Sequence, residues 1–141
     1  MNTQIPRALR LRIERAARYR CGYCHTQSAA IGMPLEIDHL IPLSLGGTSE
    51  EENLWLACPQ CNRYKAAQVE AVDPEIGQMV ALFNPRAQRW QEHFAWQQSG
   101  LYVIGISPTG RASVYALQMN NAWIVRARQV WIVAGIHPPR D

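Results

Sequence analysis

The sequence predicts a small α+β fold, two strands and one helix around a single site, with an α/β extension behind it. Three observations predict it. Four cysteines fall in two C-x-x-C pairs, Cys21/Cys24 and Cys58/Cys61, with none left over. Between the pairs, Leu35 to Ile41 alternates apolar and polar residues as a strand does, and Leu54-Trp55-Leu56 follows as a second strand. Directly after the second pair, Gln60 to about Val69 reads as a helix.

The remaining elements follow in order. Residues 5–19 read as a helix, with Pro6 in its first turn and an apolar stripe of Leu9, Ile13, Ala16 and Ala17. The first strand ends at Pro42, and Ser44 to Thr48, with Gly46-Gly47, is a loop. Ser49 followed by Glu52 predicts a capping box on one short turn. Asp73-Pro74 marks a junction, dividing a core at 1–72 from an accessory region at 73–141. In that region a helix should start at Asn84-Pro85 within 82–98. Residues 101–106 and 112–117 should be strands about a Pro108-Thr109-Gly110 turn. Asn120 or Asn121 should cap a last helix ending near Gly135, apolar on most sides and so expected to be buried.

Composition narrows the function classes. No charged segment leads into an apolar one at the N-terminus, and the most apolar stretch, 122–136, is interrupted by Arg126 and Arg128. The expectation is a soluble, cytoplasmic protein without membrane association. The net charge is only +3, but it is unevenly placed. Arg7, Arg10, Arg12, Arg15, Arg18 and Arg20 crowd the first 20 residues, whereas Glu36, Asp38, Glu50, Glu51 and Glu52 occupy 36–52 without a basic residue. Lys65 is the single lysine. Alone, a basic run reads as a solvated helix face. Beside an acidic pocket, arginine forks suit a polyanion held near a metal.

Each C-x-x-C turn can present two thiolates to one tetrahedral zinc. A redox motif has no need of two copies, and disulfides are disfavoured in an intracellular chain. The four cysteines therefore predict one structural zinc per chain. With its coordination closed, it has no open position for chemistry, so the reacting groups must lie among the polar residues between the pairs.

Those residues are Glu36, Asp38-His39, Asn53 and Asn62, with Lys65 one turn beyond Asn62. An Asp-His pair alone is commonly a surface hydrogen bond, and the asparagines alone pass as a turn residue and a helix cap. Together, however, Leu35-Glu36-Ile37-Asp38-His39-Leu40-Ile41-Pro42, Gly46-Gly47, Asn53-Leu54, Cys58, Cys61-Asn62 and Lys65 closely resemble the HNH (ββα-metal) endonucleases. That family's pattern is D-H-x-x-P, G-G, N-L, C-x-x-C-N and K, and with the first cysteine pair the match spans residues 21 to 65.

The resemblance implies a zinc-knuckle ββα-metal core that hydrolyses phosphodiester bonds in double-stranded DNA. His39 is the implied general base, a task suited to an imidazole. Asp38 and Asn62 are the implied oxygen ligands of one divalent ion, Mg²⁺ or another. Asn53 is implied to tie down the loop that aims the base. Arg63 and Lys65 are expected to steady the phosphate backbone, with Arg18 and Arg20 from the basic flank. Glu36 is either a water-mediated metal ligand or a solvated residue, and His25 is left out of the zinc set.

The residues from Leu82 to Arg86, with Trp90, His93-Phe94 and Gly110-Arg111-Ala112, look like a tail that follows such cores in bacterial proteins, without an assignable activity. Its aromatics (Trp90, Phe94, Trp96, Trp123 and Trp131) are expected in the core, and Arg86, Arg89 and Arg111 are weaker candidates for phosphate contacts. Two other functions compete: a zinc-dependent nucleic-acid-binding module without hydrolysis, and a structural zinc protein that binds a protein partner. The first has no use for the Asp38-His39-Asn62 set, and the second leaves the arginine-rich start unexplained. The sequence names no protein partner.

Overall fold

A computed structural model describes residues 4–140. Helix α1 runs Arg7–Ala16 behind Pro6 and buries Ile13. It is shorter than expected because Arg18 and Tyr19 are left-handed (φ 56° and 57°), turning the chain into the first cysteine pair. A single helical turn, α2, occupies Ser28–Ile31.

Strand β1 (Glu36–His39) pairs antiparallel with β2 (Leu54–Ala57), placing Asp38 opposite Trp55 and His39 opposite Leu54. The connection begins with a 3₁₀ turn at Leu43–Leu45 and folds back at once, the Leu45 and Gly47 amides both donating to the Pro42 carbonyl. Gly47 is obligatory there, since a Cβ would stand 1.7 Å from the Ile41 carbonyl oxygen. The expected capping box does not form. A 3₁₀ turn covers Glu51–Asn53 with no side-chain cap, and Ser49 bonds elsewhere.

Helix α3 (Pro59–Lys65) starts with Cys58 as its cap, the sulfur accepting from the Cys61 amide, and with Pro59 in the first turn. It ends earlier than Val69 because Ala66 leaves helical geometry (φ 48°, ψ −126°). The chain continues directly into β3 (Glu70–Asp73) and β4 (Gln78–Ala81).

Asp73-Pro74 is therefore a hairpin turn. Asp73 Oδ1 accepts from the Glu75 amide at 2.9 Å, an Asx turn, and its carboxylate is gripped by Arg111 through Nη2 (2.8 Å) and Nε. Those hydrogen bonds, against the opposing effect of burial, hold Asp73 below its ordinary carboxylate range.

Two further expectations change beyond this hairpin. The helix foreseen from Asn84 is one turn only: Asn84 Oδ1 accepts from the Arg86 and Ala87 amides, then the chain enters β5 (Phe94–Gln97). The strand pairs with β6 (Tyr102–Gly105). The foreseen turn and strand at 108–117 form helix α4 (Pro108–Ala116), because Ser107 caps the Gly110 amide and Pro108 fits the first turn.

Helix α5 (Ala122–Val133) is capped by Asn121 as expected, its side chain accepting from the Trp123 and Ile124 amides. It is not wrapped in protein: Ile124, Arg128 and Trp131 are buried, whereas Trp123, Val130 and Val133 are 72, 67 and 90% exposed.

The described residues form three two-stranded antiparallel sheets. One apolar core joins them, with Ile13, Tyr23, Leu54 and Leu56 from one side of residue 72 and Phe83, Phe94, Val103 and Leu117 from the other. No helix among the described residues is long and apolar enough to cross a membrane.

Candidate metal centre and active site

The two cysteine turns meet in the core. Sulfurs of Cys21, Cys24, Cys58 and Cys61 all lie within 4.8 Å of one another, buried and unbridged. Backbone amides of Tyr23 and Cys61 point at the Cys21 and Cys58 sulfurs (3.4 Å each), and Thr26 Oγ1 lies 3.1 Å from Cys24 Sγ. Hydrogen bonds from the other three thiols hold Cys24 well below the ordinary thiol range. Burial pushes Cys21 up, and hydrogen bonds to the neighbouring sulfurs push Cys61 up. Thiolates this close repel one another, and a cation held between them would offset that repulsion. Four soft sulfurs in a closed cluster are the donor set zinc takes. The cluster is a candidate zinc site.

Helix α3 lies against the face of β1 that carries Glu36 and Asp38, and the two elements meet in two rungs. Asn62 Nδ2 donates to Glu36 Oε1 at 2.8 Å at the exposed end. One turn along, Lys65 Nζ donates to Asp38 Oδ1 at 3.1 Å in the interior, where both side chains are 3% exposed. The Tyr23 hydroxyl donates to Asp38 Oδ2 at 2.6 Å. Burial, with the Asp38 charge beside it, pushes that hydroxyl well up, so it remains a donor.

His39 is the next residue of β1, on the opposite face and partly exposed. Its Nε2 lies 3.1 Å from Ser49 Oγ, and its carbonyl accepts from Lys65 Nζ at 3.1 Å. Asn53 clamps the connecting loop at both ends. Its Oδ1 accepts from the Ile41 amide (2.9 Å), and its Nδ2 donates to the Ile41 and Thr48 carbonyls (2.9 and 2.7 Å). The loop bearing Ser49 is thus fixed relative to the strand bearing His39.

Residues 21–68, the stretch holding both cysteine pairs and both rungs, match the family model described as HNH endonuclease. This segment is an HNH domain. No curated protein and no solved structure matches the chain.

Within the HNH domain Asp38 bonds to Tyr23 and Lys65, and Asn62 to Glu36. Lys65, expected at the phosphate backbone, is buried, with its three N–H groups on Asp38, His39 and the Leu40 carbonyl. Arg63 and Arg18 are exposed; Arg20 is half-buried and donates to the Arg140 carbonyl.

The weaker phosphate candidates are also engaged: Arg111 holds Asp73 and Glu75, and Arg86 donates to the Leu54 carbonyl over the Trp55 ring. His25 stacks on Trp90 (4.3 Å between ring centres) and is not among the four sulfur donors.

Two residues were missed: Tyr23 and Ser49. Tyr23 stands at an unremarked position inside the first C-x-x-C, and nothing in the spacing flags it. Ser49 is three residues ahead of Glu52, which made a cap the more natural reading.

Lys65 gives a direct test of the inner rung. Lys65→Met leaves the Asp38 charge buried without its cation, which costs about 3–5 kcal/mol. Urea unfolding should show a midpoint lowered accordingly; an unchanged midpoint would remove the pair from the fold's supports.

Proposed function

We propose that the protein is an endonuclease that hydrolyses phosphodiester bonds in double-stranded DNA, with His39 as the general base. The observation that carries this reading is the mounting of His39 within an HNH domain. Its backbone is held by β2 and Lys65, and its ring nitrogen stands against Ser49 on a loop clamped by Asn53. A partly exposed imidazole so fixed can take a proton from a water attacking phosphorus.

The implied divalent ion fits the donors in kind. Asn62 offers its amide oxygen, since its amino group is spent on Glu36, and Asp38 keeps acceptor capacity because each of its oxygens accepts from one side-chain donor. We propose Asp38 and Asn62 as its holders, with Glu36 at the open edge. Such an ion, when bound, supplies positive charge to the scissile phosphate and the leaving oxygen. One zinc per chain would hold the two cysteine turns together away from the reaction. Arg18, Arg20 and Arg63 are proposed to meet the phosphate backbone, where a guanidinium fork binds two oxygens at once.

Supercoiled plasmid incubated with the full chain tests the proposal. Relaxed or linear product should form with Mg²⁺ or Mn²⁺ and not with EDTA. DNA retained in a gel shift yet uncut under all three conditions would favour a zinc-dependent binding module instead.

A further inference from the structure

Among the described residues, four formally charged side chains are buried: Asp38, Lys65, Asp73 and Arg128. Three are accounted for. Lys65 sits on Asp38, and Asp73 is held by Arg111. Arg128, in the middle of α5 and 0% exposed, has no carboxylate partner among the described residues.

Its guanidinium donates to three uncharged oxygens: the Leu101 carbonyl (3.2 Å), Asn120 Oδ1 (3.0 Å) and the Met119 carbonyl (2.7 Å). The Nε is buried without a partner, and the Trp96 ring lies under the group at 5.4 Å. Arginine does not give up its proton in proteins. A full positive charge therefore stands in the interior facing dipoles alone, an arrangement that is costly unless a countercharge lies close.

The packing of α5 sets Arg128 on a helix that borders the cysteine cluster. Ile124, Ala127 and Trp131, on the turns around Arg128, line an apolar cleft with Thr26, Cys58 and Pro59. Trp96, beneath the guanidinium, lies 6.5 Å from the ring of His25, the residue after Cys24. Asn121 at the head of α5 donates to Gln60, between Cys58 and Cys61. The helix is laid against the second cysteine turn and against Thr26, two residues after Cys24. Four thiolates around one Zn²⁺ carry a net charge of two minus.

We propose that Arg128 is the counter-cation of the zinc tetrathiolate, so that α5, outside the matched HNH segment, helps to hold the metal. The proposal rests on the zinc reading of the four cysteines. Charge on each of the four sulfurs favours the protonated guanidinium, opposing the burial that disfavours it. Zinc and Arg128 are then mutually dependent: without the thiolates the arginine is an orphan charge, and without the arginine the dianion is uncompensated.

The test compares zinc release from wild type, Arg128→Met, Arg128→Lys and Asn120→Asp to a chromogenic chelator across pH. Asn120→Asp is a near-isosteric change that places a competing carboxylate on the guanidinium. Loss of an outer-shell partner typically weakens metal affinity about 10–100-fold. The Met and Asp variants should release zinc more readily by that order, with half-release at higher pH, and Lys should restore most of the hold. Should Arg128→Met not fold, Asn120→Asp carries the comparison. Wild type purified without zinc would defeat the zinc reading itself. Zinc-loaded wild type with Met and Asp variants that release at its rate would overturn the role of Arg128, and so would equal loss in the Met and Lys variants.

Discussion

His39→Ala should nick plasmid about 10²–10⁴-fold more slowly than wild type, the usual loss when a positioned base is removed. The fold should survive the change. The main chain of His39 stays paired with Leu54 and its carbonyl stays on Lys65; the ring's hydrogen bond to Ser49 is what disappears. Zinc content, thermal midpoint and DNA affinity by fluorescence anisotropy should therefore match wild type, so that the deficit lies in turnover. Cleavage at the wild-type rate would remove His39 from the mechanism.

Cys58→Ser should produce a different failure, collapse of the domain. Structural zinc in small cysteine-rich sites contributes about 10–16 kcal/mol of apparent binding energy, which is also folding energy. Cys58 carries a second duty, since its sulfur caps α3 through the Cys61 amide. The expected result is a zinc-free chain with weakened circular dichroism and no cooperative thermal transition, and prolonged chelation should bring wild type to the same state. A folded Cys58→Ser protein without zinc would show the metal to be dispensable.

The parts of this molecule legible in its sequence are those governed by local rules. Two C-x-x-C turns, the alternation of β1, and the Asn121 cap of α5 each depend on a few neighbouring residues. What the sequence hid depends on distant partners. Lys65 read as a phosphate contact because its acceptors come from β1 and the residue after it, over 20 positions away. The bonds of Asp38 to Tyr23 and of Asn62 to Glu36 likewise span positions that no local spacing connects. The glycine at 110 read as a turn until Ser107 and Pro108 proved to be the cap and first turn of α4. The apolar run of α5 read as buried, yet half of it faces solvent.

The double clamp made by Asn53 separates two jobs along one short stretch of chain. Ile41 and Thr48 are the tethered posts, and Leu43 and Leu45, 39 and 57% exposed, hang outside them. Leu43 and Leu45 form an exposed tip, while the hydrogen bonds that fix the loop come from Asn53 to Ile41 and Thr48. The loop thus divides into a clamped base and a tip that carries none of the clamp.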